Sequence, residues 1–260
     1  MLRCFWLLAL LLPLWLAASD AVAFQALPFS PLGSFYRPDH PEIPLGPGSG
    51  VEEIDGFVQP AGAASPTDLY FGIVPAGLSL SFSAALSADT TDLLLRYDFM
   101  NTSGSALASL LLVSFVDAEI DEPINTFFNE YVEVVGTPGA GQSYEADEPG
   151  FTFGDIYANA QAGALDGTNA TSAAAPDDVA MALALLLGPI APGQIARFEI
   201  LLSEDGESLG AFRLVQRDDA SDHAITYSGA ASIVPEPGTA LLLAAGLGAL
   251  GGARRRGRRA

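Results

Sequence analysis

The chain has only two histidines, His40 and His223, and a single cysteine, Cys4. Proton-transfer chemistry would therefore rest on these imidazoles or on carboxylates. His40 lies in the run PFSPLGSFYRPDHPEIPLGPGSG, where a general base would lack a rigid support. His223 follows Asp222 at the start of a strand-like run, the place of an exposed turn residue. The sequence contains no GxSxG nucleophile elbow, no HExxH pair and no Cys/His metal cluster. Residues 136–143, GTPGAGQS, have the spacing of a phosphate loop. Gln142 stands where that loop needs the lysine charge, so the stretch reads as a surface turn. Asp117, Glu119 and Asp121 share the alternate spacing that opens a calcium loop, but the EF-hand positions for Gly and Glu hold Glu122 and Phe128. Carboxylates also cluster at Asp147-Glu148, at Asp177-Asp178 and at Asp218-Asp219-Asp222. A looser calcium site is one expectation for these runs, and solvated acidic turns are the other. A pair of carboxylates would suffice for a glycosidase, yet abundant acids are not by themselves a signal. The expectation is that the protein is not an enzyme and has no cofactor, with calcium as the one ion its acids could take.

Charge sets the wider frame. Between residues 24 and 234 there are 29 acids and five arginines, a balance of −24, and the chain has no lysine. A surface this acidic repels nucleic acid and anionic lipid, which sets aside DNA and RNA binding. Trp6 and Trp15 are the only tryptophans, and both precede residue 24, so sugar binding on an indole platform is disfavoured.

The elements that would position any site read as strands. Residues 24–66 carry seven prolines between Pro28 and Pro60 and read as an extended lead-in with one edge strand. From Asp68 the runs DLYFGIV, LSLSFSAAL, LLLRYDF and FFNEYVEVVG alternate apolar and polar residues or are short and apolar, the pattern of strands, and ALASLLLVSFVDAEI (106–120), long enough for a helix, reads as a long strand by its Val, Phe and Ser content and flanking turns. Residues 137–177 are rich in Gly, Ala, Asp and Asn and read as a loop insertion in which only FTFGDIYANA suggests order. VAMALALLLG is balanced between helix and strand on propensity. The turn GPIAPG directly after it favours a strand. IARFEILLS, GAFRLVQR and HAITYSGAASIV complete an all-β, antiparallel β-sandwich spanning 67–233.

Both ends read as handling signals. Arg3, the apolar run 5–16 and the small residues Ala21 and Ala23 form a secretory signal peptide over 1–23, with cleavage before Phe24. Its removal would take away Cys4, leaving a mature chain without disulfides that must be stabilised by its core. At the other end, residues 237–253 form a charge-free run of seventeen residues. As a helix the run would span about 25 Å, the short end of what crosses a bilayer. Arg254, Arg255, Arg256, Arg258 and Arg259 follow, and such clusters stay on the cytoplasmic side as a stop-transfer signal.

Val234-Pro235-Glu236-Pro237, a Leu/Ala/Gly helix and a terminal arginine cluster, in that order over 234–260, resemble the PEP-CTERM sorting signal, a segment also catalogued as the ice-binding protein C-terminal domain. The resemblance covers about a tenth of the chain. It implies an exported protein of a Gram-negative bacterium, processed by signal peptidase and by exosortase, a membrane-embedded cysteine protease that cuts at Pro-Glu-Pro. It further implies an inner-membrane intermediate with a cytoplasmic C-terminus, then delivery to a cell surface or matrix rich in extracellular polysaccharide. A permanently anchored adhesin or binding module is the alternative expectation, and an exported hydrolase a third.

Overall fold

The computed structural model describes residues 27–36, 43–121, 126–150 and 152–234. The signal peptide, with Ala21, Ala23 and Phe24, lies outside them, as do His40, Pro235 to Pro237, the apolar tail and its arginines. Among the described residues, thirteen strands build two antiparallel sheets and one short α-helix lies outside them. The first sheet has the order β1-β3-β7-β10-β9, with β2 and β4 also pairing β3. Its strands are β1 (Phe35–Tyr36), β2 (Ile43–Leu45), β3 (Ser49–Pro60), β4 (Thr67–Asp68), β7 (Leu110–Ile120), β9 (Gln142–Asp147) and β10 (Ala180–Leu187). The second runs β5-β6-β11-β13-β12-β8. It comprises β5 (Leu78–Leu86), β6 (Asp92–Asn101), β8 (Glu130–Val135), β11 (Ile195–Ser203), β12 (Arg213–Asp218) and β13 (Ala224–Val234).

The all-β expectation is met, and strand periodicity explains how the layers close. In β6, Leu93, Leu95, Tyr97 and Phe99 turn inward while Leu94, Arg96, Asp98 and Met100 alternate outward. The inward rows of both sheets form one apolar core containing Val51, Ile54, Leu112, Val116, Leu183, Phe198, Ile200 and Tyr227. Two buried tyrosines keep their hydroxyls satisfied within it. Tyr97 donates to the Gly33 carbonyl and Tyr227 to the Ser114 carbonyl, each at 2.9 Å.

Three sequence expectations need correction. The stretch 24–66 is not a lead-in with a single edge strand, because β3 is twelve residues long and pairs with β7 from Ser49↔Ile120 to Pro60↔Leu110. Its prolines do no harm where they stand: Pro44 is in the short β2, and Pro60 is the last residue of β3. The run DLYFGIV is a strand only at its start, since Gly72 turns the chain at φ +73° and leaves Phe71 and Ile73 exposed. The insertion 137–177 holds an edge strand, β9, and the helix α1 (Ile156–Ala162), which ends at Gly163 with φ +68°. VAMALALLLG is a strand, and its Ala180, Ala182 and Ala184 lie in a second apolar cluster with Ile156 and Ala160 of α1. Small side chains there let the helix lie close to the sheet. The following turn leads from the first sheet into the second instead of closing a hairpin.

Candidate functional site

The outer face of the first sheet brings Asp117, Glu119 and Asp147 together with acids of neighbouring strands. Cross-strand register places Glu53, Asp117, Ala180 and Asp147 in one row, and Asp55, Phe115, Ala182 and Glu145 in the next. Glu53, Asp55, Asp117, Glu119 and Glu145 are all buried. Alternation along β7 puts Asp117 and Glu119 on the same face, as their spacing implies. Asp121 does not join them, because it follows the strand at φ +55°. Its place is taken by Glu52 of the neighbouring strand, and carboxylate oxygens of Glu52, Asp117 and Glu119 lie within 4.8 Å of one another. A second such trio is Glu145, Asp147 and Asp155.

Much of this acidity holds the helix and its flanking loop onto the sheet. The Tyr157 hydroxyl donates to Asp55 at 3.0 Å, and its ring stands edge-on to Phe115 and Phe57. Asn159 donates to one oxygen of Glu145 at 2.9 Å, and the Asp166 amide donates to the other at 3.1 Å. The Asp155 amide donates to Asp147 at 3.1 Å. Burial pushes the Glu53 carboxyl up, with the neighbouring Asp55 adding to it. Burial likewise raises Asp55, reinforced by Asp68 and opposed by the Tyr157 hydroxyl. Asp178 is pushed up to about 6 by burial, then by the adjacent Asp177 and Glu148.

Glu130, fully buried at the start of β8, joins the two sheets. It accepts from the Ile120 amide of β7 at 2.7 Å and from the Gln216 side chain of β12. Burial, followed by the nearby Glu119 charge, lifts its carboxyl to about 9. Sequence reasoning missed Glu130 because an acid opening an alternating run looks like an exposed strand end.

His223 takes part in a different connection. Its Nδ1 lies 2.9 Å from Glu204, and the Ser49 hydroxyl reaches the same Glu204 oxygen at 3.3 Å. The acid thus stands between serine and imidazole, whereas a hydrolytic triad needs the imidazole against the serine. The Gly48 amide also donates to Glu204, so the cluster ties the β2–β3 turn to the ends of β11 and β13. Residues 136–141 connect β8 to β9, and the side chain of Gln142, the first residue of β9, accepts from the Gly139 amide at 2.8 Å. That is the geometry of a closed turn.

The other place of interest is the end of β13. Val234 is its last residue and pairs with Ile195, which in turn pairs with Met100 of β6. The last described residue of β13 thus immediately precedes Pro235-Glu236-Pro237. A sandwich body followed directly by a C-terminal sorting signal is the class of protein this arrangement defines. The signal is the PEP-CTERM protein-sorting motif, whose family model matches residues 234–259. That match spans 26 of the 260 residues and supports exosortase-dependent sorting of an exported protein to the cell surface. Neither the curated proteins nor the solved structures yielded a match to the chain.

Proposed function

We propose that this chain is a surface or extracellular-matrix protein that serves as a substrate of exosortase and not as a catalyst. Signal peptidase removes residues 1–23 on export, the apolar run 237–253 holds the C-terminus in the inner membrane, and Arg254 to Arg259 stop transfer with the tail in the cytoplasm. Exosortase then cuts at Val234-Pro235-Glu236-Pro237 and releases the body to a polysaccharide-rich surface. The observation that carries this reading is the sorting motif itself, matched from Val234 onward. The last strand ends at Val234, and the matched motif starts at the same residue. The next residues include two prolines, which favour an extended backbone with accessible carbonyls, the form a protease binds.

The intact mass of the protein recovered from its native host tests the proposal. A mass ending between Pro235 and Pro237, alone or with an added group, supports processing. A mass that still includes Arg259 and Ala260 refutes it and makes the tail a permanent anchor for an adhesin or binding module.

A further inference from the structure

The edges of the two sheets are treated unequally. At the far edge of the second sheet, β8 is covered by Asn169 and Thr171, which bond the Val132 carbonyl and amide, and by the Glu130↔Asp177 bridge. At one edge of the first sheet, β9 is covered by residues 167–170, which bond the backbone of Tyr144 and Ala146. The opposite edge is built from the two- and three-residue strands β1, β2 and β4. β5 differs from all of these. It is nine residues long, LSLSFSAAL, and among the described residues it pairs with β6 alone. It contains no charge, no proline and no shift of register along β6. Proteins ordinarily guard such an edge with lysine, proline or a bulge.

We infer that the open edge of β5 pairs antiparallel with β5 of a second copy of this chain, about a two-fold axis through Phe82. The backbone fixes this register. Ser87 donates to the Asp92 carbonyl across the β5–β6 turn, so the odd-numbered residues of β5 bond β6. Leu80, Phe82, Ala84 and Leu86 therefore aim their amides and carbonyls at the open edge, where Leu78 offers its carbonyl alone because its amide already donates to the Pro75 carbonyl at 3.1 Å. With Phe82 on the axis, Phe82 meets Phe82 and Leu80 meets Ala84 as hydrogen-bonded pairs, and Leu78 meets Leu86, accepting from its amide. Such pairing supplies about eight backbone hydrogen bonds. The same register matches side chains on both faces. Leu80, Phe82, Ala84 and Leu86 are half-buried against their own core, and the second copy covers their remaining surface. Ser79, Ser81, Ser83 and Ala85 are exposed on the outer face, where Ser81 meets Ser83 and Ser79 meets Ala85.

Charge decides for a second copy over a foreign strand. A body with 29 acids and five arginines repels itself nearly everywhere, yet no residue in this contact is charged. On the strand behind it, Arg96 pairs with Glu199 and Asp98 with Arg197, each at 2.7 Å, so the surface next to the edge is neutralised as well. Beyond the strand, residues 87–89 of one copy face 77–75 of the other, which places Asp89 opposite Pro75 and no acid opposite an acid. Two six-stranded sheets thus join into one of twelve strands. The contact does not depend on tail processing.

Cysteines on the exposed face report the register. Full chains carrying Ser81→Cys and full chains carrying Ser83→Cys are co-produced in the native host, and disulfide-linked dimer is measured on non-reducing gels. Directly opposed residues are within disulfide reach, whereas Ser81 to Ser81 is a diagonal of about 7–8 Å. The expected result is several-fold more dimer from the mixture than from either variant alone. In mild detergent the unmodified chain should sediment at twice its mass, and S81K/S83K should sediment as a monomer with an unchanged β circular dichroism signal. No dimer in the mixture, equal dimer in the single variants, or a cross-link to a different protein would each overturn the proposal.

Discussion

Replacing Glu130 with glutamine should change how the stability of this protein responds to pH. The Glu130 carboxyl lies between the sheets, and burial moves it from 4.5 to about 9. A raised carboxyl keeps its proton in the folded state while the unfolded chain loses it. Between those two values the native state binds more protons, so stability falls as pH rises, by up to about 1.4 kcal/mol per unit. At pH 7 the accumulated penalty is about 3 kcal/mol, an upper figure taken from the full shift. Glu130→Gln keeps the shape and the acceptor for the Ile120 amide but has no proton to lose. It also turns an amide donor toward the Gln216 side chain, which costs about 1 kcal/mol. The variant should therefore be slightly less stable than the parent at pH 4.5 and about 2 kcal/mol more stable at pH 7. Urea denaturation at half-unit steps from pH 4.5 to 8 measures both curves. The variant should keep a shallower fall of the same sign, because Glu53, Asp55 and Asp178 are raised too. Parallel curves, or a parent that gains stability toward pH 8, would refute the assignment of a buried proton to Glu130.

Two further outcomes follow from the same geometry. Tyr157→Phe removes the hydroxyl that donates to Asp55 at 3.0 Å and should lower stability by about 1–3 kcal/mol at neutral pH, read as a shift of the urea midpoint at constant slope. Inserting Gly-Ser-Gly-Ser between Val234 and Pro235 should speed release of the C-terminal tail in a pulse-chase in the native host, because it separates the motif from the Val234↔Ile195 pair. Slower release would mean that the protease also grips the end of the sandwich.

The strands that alternate cleanly, β5, β6 and β11, could be read from the chain, because each turns one face to the core and one to water. β7 and β10 were harder, since both faces are covered and their apolar runs lose the period of two. β3 escaped detection for two physical reasons. A register shift between Val51 and Glu53 breaks its alternation, and Glu52, Glu53 and Asp55 put charge into a strand that is nonetheless buried. The acidic face was half legible. Asp117 and Glu119 share a face by local spacing, but Glu52, Glu145 and Asp155 reach their trios only through strand pairing and the packing of α1. The sorting motif was wholly legible because it works as a linear peptide.

The placement of the few arginines shows how one chain can be both strongly acidic and able to approach its own copies. Arg96, Arg197 and Arg217 each bond an acid on a neighbouring strand of the second sheet: Glu199, Asp98 and Glu133. Pairs this exposed contribute little stability, about 0–1 kcal/mol each. Their larger effect is on the field. They cancel the charge of one face, while the acids of the first sheet's outer face have no arginine on that sheet among the described residues. Salt screens the repulsion between two such bodies within about 10 Å at 0.1 M, but the neutral β5 edge has no ion pairs for it to weaken. Association through that edge should thus tighten as ionic strength rises, whereas a contact built on complementary charges would loosen.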